Sequence, residues 1–256
     1  MTVLDAGDPL AVAVTGAIRC GDVPALRELL AAHPGLAGTG IRRTGEAAGT
    51  RSLLHVATDW PGHLPAGPEV IAALVAAGAD PDARFVGVHG ETPLHWAASN
   101  DDVAALDALV AAGADIEATG AVIAGGTPLA DARGFGQWRA ARRLLEHGAR
   151  TTLQDAATLG LLDRVVALVE GDGQGADAAD ERDGRWPAAD DITSAFWGAC
   201  HGGQTAAARY LLARGAELDW VGYDDMTPLD IAVASGADEV AEWLRERGAR
   251  TRAQLP

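Results

Sequence analysis

Thr92–Ala98 reads TPLHWAA, and close variants recur: TPLADAR at Thr127–Arg133, TPLDIAV at Thr227–Val233 and SLLHVAT at Ser52–Thr58. A second phrase closes each unit, at Gly78-Ala79-Asp80, Gly113-Ala114-Asp115, Gly148-Ala149-Arg150, Gly215-Ala216-Glu217 and Gly248-Ala249-Arg250. Helical segments such as Val103–Ala112 and Ala140–His147 lie between the two phrases. The chemistry of each piece is local. Thr caps a first helix, and Pro occupies its first turn, where a missing N–H costs nothing. The small pair Ala97-Ala98 lets a neighbouring helix approach closely, and leucines such as Leu144 and Leu145 fill the layer between units. The closing Gly takes the left-handed conformation that ends the second helix.

Two weaker copies follow from the spacing between the Ala pair and the next Gly. They are TTLQDAA at Thr151–Ala157 with Gly160, and TSAFWGA at Thr193–Ala199 with Gly202. A degenerate first copy covers Pro9–Ala32. In fixed order and spacing, these phrases resemble the ankyrin repeat over nearly the whole chain, from about Pro9 to Arg250. GGTPLADAR at Gly125–Arg133, FWGACHGGQ at Phe196–Gln204 and LDW at Leu218–Trp220 look like stretches of bacterial ankyrin-repeat proteins. The expected fold is an all-α solenoid of about seven helix–turn–helix repeats, forming one domain over 1–256. The repeats are placed at about 9–38, 50–80, 90–115, 125–150, 151–171, 191–217 and 225–250. The resemblance implies a non-enzymatic protein-binding scaffold that makes contacts through its concave face and finger tips.

Anchors at 12, 52, 92, 127, 151, 193 and 227 leave intervals of 40, 40, 35, 24, 42 and 34 residues. An ordinary unit is about 33 residues. The long intervals place inserted loops around Thr39–Thr50, Trp60–Pro68 and Gly171–Asp191. The short one predicts that the finger hairpin is missing after Arg150, which should narrow or bend the stack there.

The chain has 256 residues, 48% of them hydrophobic and 5% aromatic, which suits stacked helices better than a sheet. Formal net charge is −16, from 36 acids and 20 bases, and every base is Arg. Such a surface repels phosphate backbones and disfavours nucleic acid. Cys20 and Cys200 form no CxxC pair and are expected to be free buried thiols in a reducing compartment. No basic residue precedes Arg19, and no apolar run approaches the ~20 residues of a membrane span. A soluble cytoplasmic protein without a membrane partner is expected.

His55 and His95 occupy the fourth position of the capping phrase, where each imidazole should bond backbone and hydroxyl groups and tie neighbouring repeats together. Ala130, Gln154, Phe196 and Asp230 stand at that position elsewhere, which predicts a weaker lattice in the C-terminal half. No His pair or Cys/His cluster has zinc spacing, so no metal and no cofactor is expected. The insert Gly171–Asp191 misses the ligand alternation of a calcium loop and reads as a mobile acidic loop, with Trp186 placed to fold back as a lid. Nucleophile-elbow, P-loop, zincin and kinase signatures are all absent.

The residue before the Ala pair should point from the first helix into the groove. That column reads Gly16, Val56, Trp96, Asp131, Asp155, Trp197 and Ile231, and one turn later Cys20, Trp60, Asn100, Phe135, Leu159, His201 and Ser235. The candidate contact residues are therefore Trp60, Trp96, Asn100, Asp131, Phe135, Asp155, Trp197 and His201. Three readings stay open: a docking surface for an unidentified protein, an aromatic pocket for a cationic small molecule, or simple packing. In an enzyme version of the second, Asp131 and Asp155 would be a desolvated acid/base pair with His201 as proton partner, serving an isomerase or cyclase.

Overall fold

The computed structural model describes residues 2–43, 48–171 and 189–255. The chain divides into two compact units, Met1–Ala149 and Arg150–Pro256. The first holds strand β1 (Val3–Asp5), helices α1 (Pro9–Cys20) and α2 (Val23–Ala32), and strands β2 (Gly40–Arg43) and β3 (Gly49–Ser52). Helices α3 (Leu53–Ala57), α4 (Gly67–Ala76), α5 (Pro93–Ser99), α6 (Val103–Ala111), α7 (Pro128–Gly134) and α8 (Trp138–Glu146) follow. The second unit holds α9 (Leu153–Thr158), α10 (Leu162–Glu170), α11 (Ala189–His201), α12 (Thr205–Ala213), α13 (Pro228–Ala234) and α14 (Asp238–Arg245).

Each odd-numbered helix packs on the even-numbered helix that follows it. In the first unit α1, α3, α5 and α7 also stack in one row, and α2, α4, α6 and α8 in a second. The second unit repeats the arrangement with α9, α11 and α13 beside α10, α12 and α14. Composition explains the layering. Ala97, Ala98, Ala132, Ala156 and Ala157 are fully buried and let the first row close up, while Leu26, Leu74, Leu106, Leu109 and Leu144 fill the space against the second row. In α11, Cβ atoms added at Gly198 and Gly202 would collide with Oγ1 and the carbonyl oxygen of Thr158, so glycine sets how closely α11 lies on α9.

The capping phrase works as a lattice. Ser52 N donates to Nδ1 of His55 at 3.3 Å, and Thr92 N donates to Nδ1 of His95 at 3.1 Å. With Nδ1 accepting, the ring proton sits on Nε2, which reaches the carbonyl of Glu91 from His55 (3.1 Å) and that of Gly126 from His95 (3.4 Å). Burial lowers both imidazoles to about 4, so they are neutral at pH 7.

Two expectations are corrected, and the reading of the capping lattice is extended. The region Thr39–Thr50 is not only a loop: β2 pairs antiparallel with β3 and parallel with β1. Its period of two is visible in buried Ile41 beside exposed Arg42, but the segments are too short and too rich in Gly and Arg to read as strands. Cys20 is exposed, unlike buried Cys200. The lattice also continues in the second unit, with carboxylates replacing imidazoles. Asp230 accepts from Thr227 N (3.0 Å) and Oγ1 (2.8 Å) and reaches onward to Arg252 N (2.7 Å).

Only residues 147–152 connect α8 to α9, and the division between the units falls within them. The regular connectors α6–α7 and α12–α13 occupy 112–127 and 214–227. Most of the acidic insert, 172–188 with Trp186, lies outside the described residues. No helix among the described residues is long and apolar enough to cross a membrane.

Candidate functional site

Of the eight contact residues read from the two columns, two are open to solvent. Trp60 is 81% exposed and Phe135 47% exposed. Trp60 stands just beyond α3 on a backbone fixed from several sides. Asp59 pairs with Arg51 and, at 3.7 Å, with Arg19. Gly62 N donates to Asp59 O at 2.8 Å, and His63 N donates to Oδ2 of Asp102 at 2.6 Å. Its large aromatic surface is thus presented to water on a segment with little freedom to rearrange.

Asn100 and Phe135 close α5 and α7 at the position one turn after the inward column. Asn100 is half-buried, and its Nδ2 donates to Thr58 O at 2.9 Å, tying the end of α5 to that of α3. Gln137 Nε2 makes the corresponding bond from the next layer to Ser99 O at 3.0 Å. These two amides each tie one layer to the layer before it.

Trp96 is half-buried, with its ring edge-on to His55 (4.8 Å between centroids) and tilted against Phe85 (5.6 Å). Its side chain lies near the Glu91 carboxylate and favours the charged form. Burial, then the charge of Asp131, raise Glu91 to about 7 against the opposing effect of Trp96. Asp131 is fully buried on α7, at the place Trp96 occupies on α5. Its Oδ1 accepts from Ile123 N at 3.0 Å, while Oδ2 has no hydrogen-bond partner. Burial raises its carboxyl to about 6.

Asp131 is therefore no groove-lining side chain. It anchors the 119–126 finger from below, and the acid that couples to it is Glu91. Sequence reading missed Glu91 because it directly precedes the repeat phrase, outside both inward columns. The available signal was its place next to capping Thr92, one layer before Asp131.

In the second unit the expected contact residues are engaged in structure. Asp155 is 3% exposed, and its Oδ2 accepts from Thr152 N (2.9 Å) and Oγ1 (2.7 Å). It occupies the capping position of His95 rather than the inward position of Trp96. The physical cause is length: α9 has 6 residues where α5 has 7, so alignment from its end misplaces its start. Trp197 is 6% exposed; its Nε1 donates to Met226 O at 3.0 Å, and Tyr223 meets its ring edge-on at 5.1 Å. Half-buried His201 bonds Oγ of Ser235 at 2.8 Å.

Asp131 and Asp155 belong to different units, and neither is presented as an accessible acid/base group. Trp60, Asn100 and Phe135, with Trp96 and Glu91 nearby in the chain, form the candidate surface of the first unit. The family model described as ankyrin repeats (3 copies) matches residues 54–155 and again 153–254. No curated protein matches the chain.

Proposed function

The chain belongs to the ankyrin-repeat family, and on that premise we propose that it is an interaction scaffold whose protein partner docks on the groove side of the first helices, anchored by Trp60. Ankyrin repeats are generally protein–protein interaction modules. The observation that carries the reading is the 81% exposure of Trp60 on a backbone pinned by Arg51, Asp59 and Asp102. Leaving an indole in water is costly unless something covers it, and a rigid aromatic loses little entropy when covered. Trp is also enriched among the residues that dominate binding energy. A net charge of −16 favours a partner with a basic docking patch around an apolar notch for the indole.

In this reading each of the seven helix pairs among the described residues is one repeat, and 1–256 is a single ankyrin-repeat domain. Support for the single domain comes from the family match, which runs through the 149/150 division. Free Cys20 and Cys200 are in keeping with a cytoplasmic setting.

A photo-crosslinking residue placed at position 60, with the same residue at exposed Val88 as control, tests the scaffold reading. A discrete protein adduct formed from position 60 in cells is expected. Adducts that are absent, or identical from both positions, would remove Trp60 as the anchor.

A further inference from the structure

We propose that the outer face of the first helix pair, α1 with α2, is a docking groove for one amphipathic α-helix of a partner protein, carrying an Arg or Lys set against Glu28. The inference concerns a different surface from that of Trp60 and does not rest on the reading above.

The first observation is that α2 leaves open positions that its counterparts bury. Gly21, Gly136, Gly203 and Gly236 all take the left-handed conformation just before α2, α8, α12 and α14, so positions correspond by counting from them. Four residues on stand Ala25, Ala140, Ala207 and Val240, and eight on stand Leu29, Leu144, Leu211 and Leu244. Ala25 and Leu29 are half-buried, whereas none of the others is more than 1% exposed. Among the described residues no helix pair follows α14, so burial of Val240 and Leu244 shows that these positions face back toward the preceding pair. In α2 they face a cavity of about 590 Å³ between α1 and α2 instead. End repeats of a solenoid normally turn a polar face outward. Here Val12, on the same cavity, is 55% exposed.

The second observation is Gly16. Glycine inside a helix weakens it, and a Cβ added at Gly16 would meet nothing within 4 Å. Gly198 stands at the corresponding place in α11, five residues before Gly203, and there a Cβ would collide with Oγ1 of Thr158 on α9. Glycine at this position therefore admits a helix from the preceding layer. Gly16 has the same form and lines the open cavity.

Charge identifies the occupant. Seven residues after the left-handed glycine, Arg143 on α8 reaches back to Asp107 on α6 at 2.6 Å, and Tyr210 on α12 donates to Glu170 on α10 at 3.2 Å. The corresponding residue of α2 is Glu28, which is exposed and makes no ion pair among the described residues. An acid here calls for a base on the incoming helix, and Asp22 on the same cavity adds to the demand. A second copy of this chain does not meet it. Its α14 would offer Glu242 and Glu246 at the places of Asp107 and Glu170, and its own first pair would set acid against acid. A helix laid in a groove by an apolar stripe with basic flanks is the complementary form.

The test is fluorescence anisotropy of a labelled synthetic helix of three heptads, with Leu at the first and fourth positions, Arg at the fifth and seventh, and Ala elsewhere. A second helix carries Glu in place of Arg. Exposed Cys20 lines the cavity, so its alkylation by iodoacetamide reports where the helix sits, while burial keeps the Cys200 thiol protonated and unreactive. The Arg helix should bind the full chain saturably and slow alkylation of Cys20, and the Glu helix should bind about tenfold more weakly or worse. Gly16→Leu fills open space and should reduce Arg-helix affinity by a similar factor. Glu28→Arg should reverse the preference between the two helices, and Trp60→Ala should leave both affinities unchanged. Absence of saturable binding at about 100 μM, unslowed alkylation of Cys20, or a preference untouched by Glu28→Arg overturns the proposal. Self-association of the chain that Gly16→Leu abolishes would also overturn it, by making a second copy the occupant.

Discussion

At the scale of single residues, two sets of shifted groups in the first unit oppose each other. Asp131 and Glu91 have folded values of about 6 and about 7, above their ordinary carboxyl values. They contribute stability that is present at low pH and lost as pH rises through those values. His55 and His95 sit at about 4, below the ordinary imidazole value, and contribute stability present above it and lost as pH falls toward 4. Between about pH 4.5 and 6.5 the two pairs therefore offset each other. The double variant Glu91→Gln/Asp131→Asn removes one side of the balance. Its urea midpoint should fall more steeply than wild type on acidification from pH 6.5 to 4.5; a parallel fall would contradict the assignment. Asp155 was misplaced by sequence at this scale, and its capping role has its own test. Thr152→Ala removes the hydroxyl half of the box and should cost about 1 kcal/mol in chemical denaturation. Retained stability would mean that the box contributes nothing.

At the scale of elements, the helices were legible because their signals are local and repeated. Thr or Ser at the cap, Pro in the first turn, an Ala pair inside and Gly after the second helix each have a one-residue cause. The strands were not legible, since β2 and β3 gain their definition from pairing with β1 and with each other. Glycine at 202 served in the sequence only as a spacing landmark, yet its larger role is the close approach of α11 to Thr158. Gly202→Ala should push α11 from α9 and cost roughly 1–3 kcal/mol as overpacking. Leu106→Ala, at a fully buried position of α6, should cost roughly 2–5 kcal/mol. Equilibrium urea unfolding reads both variants. Losses well below these ranges would show that the layers relax more freely than their burial implies.

At the scale of the whole molecule, an acidic chain of two compact units presents Trp60, the most exposed aromatic side chain among the described residues, in the first. The sequence put that residue in the groove column as a candidate, but it gave Asp155 and Trp197 equal weight. Burial could not be read from column position, because Thr152 and Met226 consume the polar atoms of those two side chains. With −16 net charge, association with a basic partner should slow as ionic strength rises, while dissociation changes little. The most direct test is the dissociation constant of the partner crosslinked at position 60, measured with wild type and with Trp60→Ala. A rise of roughly 30-fold or more is predicted, about 2 kcal/mol for a central anchor. An unchanged dissociation constant would contradict the claim that this ankyrin-repeat chain grips its partner through Trp60.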